Sequence, residues 1–125
     1  MREVESAYAA LDIARIMDFF DPEIVLFWNG VRRAVGLDEV RSWHERSFAT
    51  VRDYRIRKTL RAADGDTIAV EWTDSWLDTA SNMRRLGYGA EFWTMRGDHL
   101  REWHAYWRGG PAPSDDSSAR LPGPS

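Results

Sequence analysis

The spacing of apolar positions divides the chain into a helical first part and a strand-rich second part. Val4, Ala7, Tyr8 and Leu11 recur at helical spacing and predict a short helix over residues 3–10. Ile13, Ile16, Met17 and Phe20 predict a second over residues 13–20, with Asp12 as its N-cap and Asp21-Pro22 closing it. Residues 23–28 read as a strand. Asn29-Gly30 is a tight-turn signal, and residues 31–35 return as the partner strand. After Gly36 a helix over residues 37–49 places Leu37, Val40, Trp43, His44, Ser47 and Phe48 along its inner side.

From residue 51 the pattern alternates. Residues 51–63, 67–79, 84–95 and 100–107 read as strands, joined by turns at Asp64-Gly65-Asp66, Ala80-Ser81-Asn82 and Gly97-Asp98. Helices followed by strands make an α+β fold, here a cone-shaped roll with the N-terminal helices on a curved, mostly antiparallel sheet. This single domain covers residues 1–108. Residues 109–125 hold four of the five prolines and little to bury, so they read as a disordered tail.

Alternation also sorts side chains by face. Tyr54, Ile56, Lys58 and Leu60 share the face turned to the helices. Closing the hairpin at Asp64-Gly65 pairs Leu60 with Val70, Lys58 with Trp72, Ile56 with Asp74 and Tyr54 with Trp76. Lys58 and Asp74 then lie diagonal to each other beside two tryptophans. The last hairpin pairs Glu91 with Ala105 and Trp93 with Trp103, so that Glu91, Trp93, Met95, Trp103 and Trp107 also face inward. The opposite face carries Phe92, His104 and Tyr106, a pattern that fits a homodimer interface.

Composition changes this picture in one respect. Five of the seven tryptophans fall in the strands predicted after residue 51, more than the core of a chain this size usually needs in one sheet. An aromatic-lined cavity for a small hydrophobic molecule becomes a competitor to simple packing, with Trp28, Trp72, Trp76, Trp93, Trp103 and Trp107 as walls and Asn29 near its mouth. Glu91 is the leading acid/base candidate, because desolvation pushes an inward carboxyl toward a useful range; a structural ion pair with a neighbouring cation is the alternative. Asp74 is a second acid/base candidate, and Lys58 a cation for an anionic substrate. His44 reads as a core or rim histidine, and Arg84-Arg85 as a solvated pair at a turn.

Other classes find no support. The chain has no cysteine, and His99 and His104 fall on opposite faces of one strand with no third ligand, so neither a metal nor another cofactor is expected. A net charge of -3 with interspersed signs argues against nucleic acid, and no apolar run is long enough for a membrane span. The cytoplasm is the expected compartment.

The runs Asp-Tyr-Arg-Ile-Arg-Lys-Thr-Leu at 53–60, Asp-Gly-Asp-Thr-Ile-Ala-Val at 64–70 with Trp76, and Tyr-Gly-Ala-Glu-Phe-Trp at 88–93 resemble the nuclear-transport-factor-2-like, or SnoaL-like, superfamily, nearest an uncharacterised branch. The resemblance covers roughly residues 3–107 and implies the cone-shaped fold. For function it implies either a cofactor-independent isomerase, cyclase, hydratase or hydrolase, or a non-catalytic binding or dimerisation domain. Glu91 is similar in position to the protonated acid in the oxyanion hole of ketosteroid isomerases. Their general-base aspartate would lie near Phe27-Trp28-Asn29, where this chain has no carboxylate. The last-strand aspartate of the epoxide hydrolases and cyclases falls on Ala105.

Overall fold

A computed structural model describes residues 1–112. Two short helices, α1 (Arg2–Ala9) and α2 (Ile13–Met17), precede the hairpin of β1 (Phe20–Trp28) and β2 (Val31–Val35). Helix α3 (Gly36–Phe48) follows, then four long strands, β3 (Val51–Asp64), β4 (Thr67–Asp78), β5 (Met83–Arg96) and β6 (His99–Pro111). They form one sheet in the order β2-β1-β6-β5-β4-β3, antiparallel except for the β1–β6 pair. The α+β roll predicted from the periodicities is the fold observed.

Each boundary has a local cause. Asp12 accepts a hydrogen bond from the Arg15 backbone N–H, capping α2 as expected. That helix stops at Met17 rather than Phe20, because Phe20 is drawn into the sheet opposite Leu100 of β6. Asp21-Pro22 therefore lies within β1, where the pairing with β6 is interrupted between Phe20 and Val25 and a residue without an N–H is tolerated. Asn29 and Gly30 both take positive φ, as a two-residue hairpin loop requires. At the other end β6 runs on to Pro111, with Gly109 opposite Gly87, so the sheet takes in the first residues assigned to the tail. Residues 113–125 of that tail lie outside the described residues.

The core sits between the concave sheet face and the helices. Ile16 of α2, Ile24 and Leu26 of β1, Val40 of α3 and Val70 of β4 are fully buried there. Each such side chain contributes about 1.5–3 kcal/mol through its removal from water. The predicted pairs Lys58–Trp72, Ile56–Asp74, Leu60–Val70, Glu91–Ala105 and Trp93–Trp103 all occur. Two details of β3 differ. A bulge between Arg52 and Arg55, with Asp53 at φ 47°, removes Tyr54 from a direct pairing with Trp76. Leu60 is 54% exposed rather than inward, because a second irregularity follows it and residues 60–67 are all exposed.

Candidate ligand-binding site

The concave face of the sheet and α3 line a cavity of about 310 Å³ that opens to solvent. Six of the seven tryptophans line it: Trp28, Trp43, Trp72, Trp76, Trp103 and Trp107. Trp28 is the hub, its ring centroid 5.5–6.4 Å from those of Trp43, Trp72, Trp103 and Trp107. Glycine on the neighbouring strand makes room for this wall. Gly89 lies opposite both Trp72 and Trp107, and a Cβ there would come within 2.6 Å of the Trp72 ring. At Gly87, opposite Asp74, a Cβ would collide with Asp74 Oδ1 and Trp107 Nε1. The indoles therefore lie against bare backbone, and they do not fill the interior.

Lys58 and Glu91 form a buried ion pair, Nζ to Oε1 2.9 Å, with side chains 4% and 1% exposed. Their strands are separated by β4, and inward alternation on both brings the groups together across it. Trp93 Nε1 donates to the same Oε1. The Lys58 ammonium also lies 5.0 Å from the Trp72 ring centroid and 5.7 Å from that of Trp93, so its charge is shared between a carboxylate and indole faces. Among the described residues, Glu91 Oε2 and Trp103 Nε1 are buried without a hydrogen-bond partner. The pair separates the main cavity from a smaller one of about 120 Å³, which Trp93, Met95 and Leu100 also line.

Asp74 lies on the wall of the larger cavity and is not bonded to Lys58. Tyr54 donates its hydroxyl to Asp74 Oδ2 at 2.7 Å, and Trp107 Nε1 approaches Oδ1 at 3.5 Å. The bulge that displaced Tyr54 from the ladder accompanies this contact, and it is tied down where Arg84 donates to Asp53 at 2.7 Å and to Ser75 at 2.8 Å. Burial raises the Asp74 carboxyl above its ordinary range, against the lowering effect of bonds from Tyr54, Trp107 and Trp72. Burial, reinforced by the Asp74 charge, likewise raises the Tyr54 hydroxyl well above 10.

His44 completes the wall as a neutral group. Its Nδ1 lies 2.8 Å from the Val40 carbonyl, which can only accept, so Nδ1 carries the proton and Nε2 accepts from the Tyr8 hydroxyl at 2.8 Å. Burial lowers its pKa from 6.5 to about 4.

Of the residues singled out in the sequence, Glu91, Asp74, Lys58, Trp28, Trp72, Trp76, Trp103 and Trp107 all meet at the larger cavity. Trp93 faces the smaller one. Asn29 does not reach the wall: its side-chain oxygen accepts from the Trp107 backbone N–H at 2.8 Å, tying the β1–β2 turn to β6. Lys58 pairs with Glu91 rather than standing free for an anion. Tyr54, Trp43, Tyr8 and His44 join the wall although none was singled out as a site residue. Tyr54 carried a signal, since it alternates in phase with Lys58; the hydroxyl contact depends on the bulge and had none. Among the described residues no group of three or more His, Cys, Asp or Glu side chains could hold a metal ion. No helix among them is long and apolar enough to cross a membrane.

Helices over a cone of six strands with an aromatic-lined cavity define a ketosteroid-isomerase-like, nuclear-transport-factor-2-like fold. The chain belongs to the SnoaL-like domain family, which matches residues 1–103. Among solved structures it is similar to a hypothetical protein from Catenulispora acidiphila with a ketosteroid isomerase-like fold, at 14% identity and TM-score 0.74 over 97% of this chain and 92% of that one. An epoxide hydrolase from M. tuberculosis aligns at 16% identity and TM-score 0.70, over 86% of this chain and 78% of that one. An nuclear-transport-factor-2-like protein of unknown function from Burkholderia pseudomallei aligns at 14% and 0.72, over 86% of both chains. These likenesses establish the fold alone. No curated protein sequence matches the chain significantly.

Proposed function

We propose that this domain binds one small, largely apolar organic molecule among its tryptophans and moves a proton at it through Asp74. The observation that carries this is a buried carboxyl, held by Tyr54 and raised by burial, opening onto a cavity of about 310 Å³. That volume is at the low end for small-molecule sites, which run from about 300 to 1,000 Å³, so the ligand is compact. A buried carboxyl whose pKa is raised can both take and return a proton, as isomerisation, cyclisation, hydration or dehydration requires. Tyr54 holds the carboxyl in place, and the indoles exclude water. The Catenulispora acidiphila protein was solved in complex with trimethylamine, which supports small organic ligands as the class.

Wild type and Asp74→Asn are to be titrated with a panel of compact organic molecules by tryptophan fluorescence, and each binder followed for conversion by mass spectrometry. Conversion that falls by about 100-fold or more in Asp74→Asn, with affinity retained, is the expected result. Binders that are never converted, or converted equally by both proteins, would sink the catalytic reading. A second reading, binding without turnover, draws on Glu91: its Oε1 is taken up by Lys58 and Trp93 and its Oε2 is buried, so neither oxygen is offered to a ligand as an oxyanion-hole donor.

The outer sheet face supports self-association. Phe92 and Tyr106 are 45% and 47% exposed at its centre, with the stacked Phe27–His104 pair beside them. Light scattering should give a dimer for wild type and a monomer for Phe92→Glu; a monomeric wild type would remove this use of the face.

A further inference from the structure

Among the described residues lining the larger cavity, the charged ones are Lys58, Asp74 and Glu91. Two carboxylates therefore face one ammonium, and Glu91 already holds that ammonium at 2.9 Å. His44, neutral in this wall, adds no positive charge. An anionic ligand would find no uncommitted cation there, and it would meet the electron-rich faces of the indoles. A hydrocarbon would satisfy the indoles but leave Asp74 with only the charge of Lys58, which Glu91 already holds.

We propose that the cavity selects an organic cation, an alkylated or protonated amine with apolar substituents, seated on the indole faces with Asp74 as its counter-ion. This rests on the pocket reading above and narrows it to a charge class. The protein already places a cation on these surfaces, since Lys58 Nζ sits 5.0 Å from the Trp72 ring centroid and 5.5 Å from that of Tyr8. Indole is the best aromatic partner for such a charge, and desolvation strengthens the attraction. Asp74, flanked by Trp72, Trp107 and the Tyr54 hydroxyl, provides the negative charge such a group needs once water is excluded.

The test uses three probes of one shape: choline, dimethylbutanol with carbon in place of its nitrogen, and dimethylbutanoate with the same branched head. Calorimetry on the full chain should show choline binding about tenfold or more tighter than the alcohol, and the carboxylate weakest. In Asp74→Asn the choline-to-alcohol ratio should collapse toward one. Because the ratio is taken within one protein, a general loss of folding cannot imitate that collapse. If the alcohol or the carboxylate binds as well as choline, the cation class is overturned while the pocket reading stands. A preference for choline that survives Asp74→Asn overturns Asp74 as the counter-ion. If none of the three binds, both readings fall.

Discussion

Lys58→Met would leave Glu91 as an uncompensated charge inside the protein, and the cost can be worked from the geometry. At 2.9 Å and an effective dielectric of about 20, the two charges attract by about 6 kcal/mol. Moving each ion out of water costs several kcal/mol, so the intact pair contributes little net stability. Breaking it is another matter: one partner stays buried alone, at about 3–5 kcal/mol. For a chain of 125 residues each kcal/mol lowers the melting temperature by about 4 °C, so Lys58→Met should melt roughly 10–20 °C below wild type. Glu91→Gln should be comparably damaging, since it strands the ammonium while keeping an acceptor for Trp93 Nε1. The double variant Lys58→Met/Glu91→Gln removes both charges and keeps that acceptor, and it should recover to within about 1 kcal/mol of wild type. Urea unfolding followed by tryptophan fluorescence measures all four proteins. Additive losses, or single variants costing under about 1 kcal/mol, would refute a buried, mutually dependent pair.

Gly87→Ala places a methyl against Asp74 and Trp107, and it should cost about 1–3 kcal/mol and abolish ligand binding. Gly110→Ala meets nothing within 4 Å and should be silent in both urea unfolding and calorimetry. His44 is held neutral with a pKa of about 4 against an ordinary 6.5, so the unfolded chain binds its proton first. Its contribution is complete above pH 6.5 and is lost as pH falls toward 4, by up to about 3 kcal/mol. His44→Leu should lack that part of the pH dependence, and unfolding profiles of equal slope in the two proteins would refute the assignment. Because burial raises Asp74, cation affinity should weaken as pH falls through that raised value, while affinity for the neutral alcohol stays flat. Parallel losses for both probes in calorimetry would exclude Asp74 as the group responsible.

Much of the sheet was legible because a strand has a period of two and its turns announce themselves. Asp64-Gly65 and Gly97-Asp98 closed hairpins with Gly65 and Gly97 at positive φ, and from those turns the pairs Lys58–Trp72 and Glu91–Ala105 followed by counting. Counting fails where a residue is inserted. The bulge at Asp53-Tyr54 moved Tyr54 out of register, and the irregularity after Leu60 accompanies that side chain's exposure. The end of α2 was missed for another reason. Phe20 fits a helical stripe as well as a strand, and a parallel partner some eighty residues away, Leu100, decided between them.

The candidate site divides in the same way. Alternation alone placed Lys58, Asp74, Glu91 and the tryptophans on one concave face, since facing is a property of local backbone geometry. Which carboxylate meets the ammonium was decided by the tertiary structure. Diagonal reach along the β3–β4 hairpin pointed to Asp74, but curvature of the sheet brings Glu91, one strand further on, to 2.9 Å. That choice committed Lys58, left Asp74 to Tyr54, and left Glu91 Oε2 without a partner. Likewise the sequence showed more indole than a core requires, whereas the about 310 Å³ of space between the rings appears only when the strands curl and glycine backbone receives the ring faces. Side-chain direction is set within a few residues, but distances across a curved sheet are set by the packing of all its layers at once.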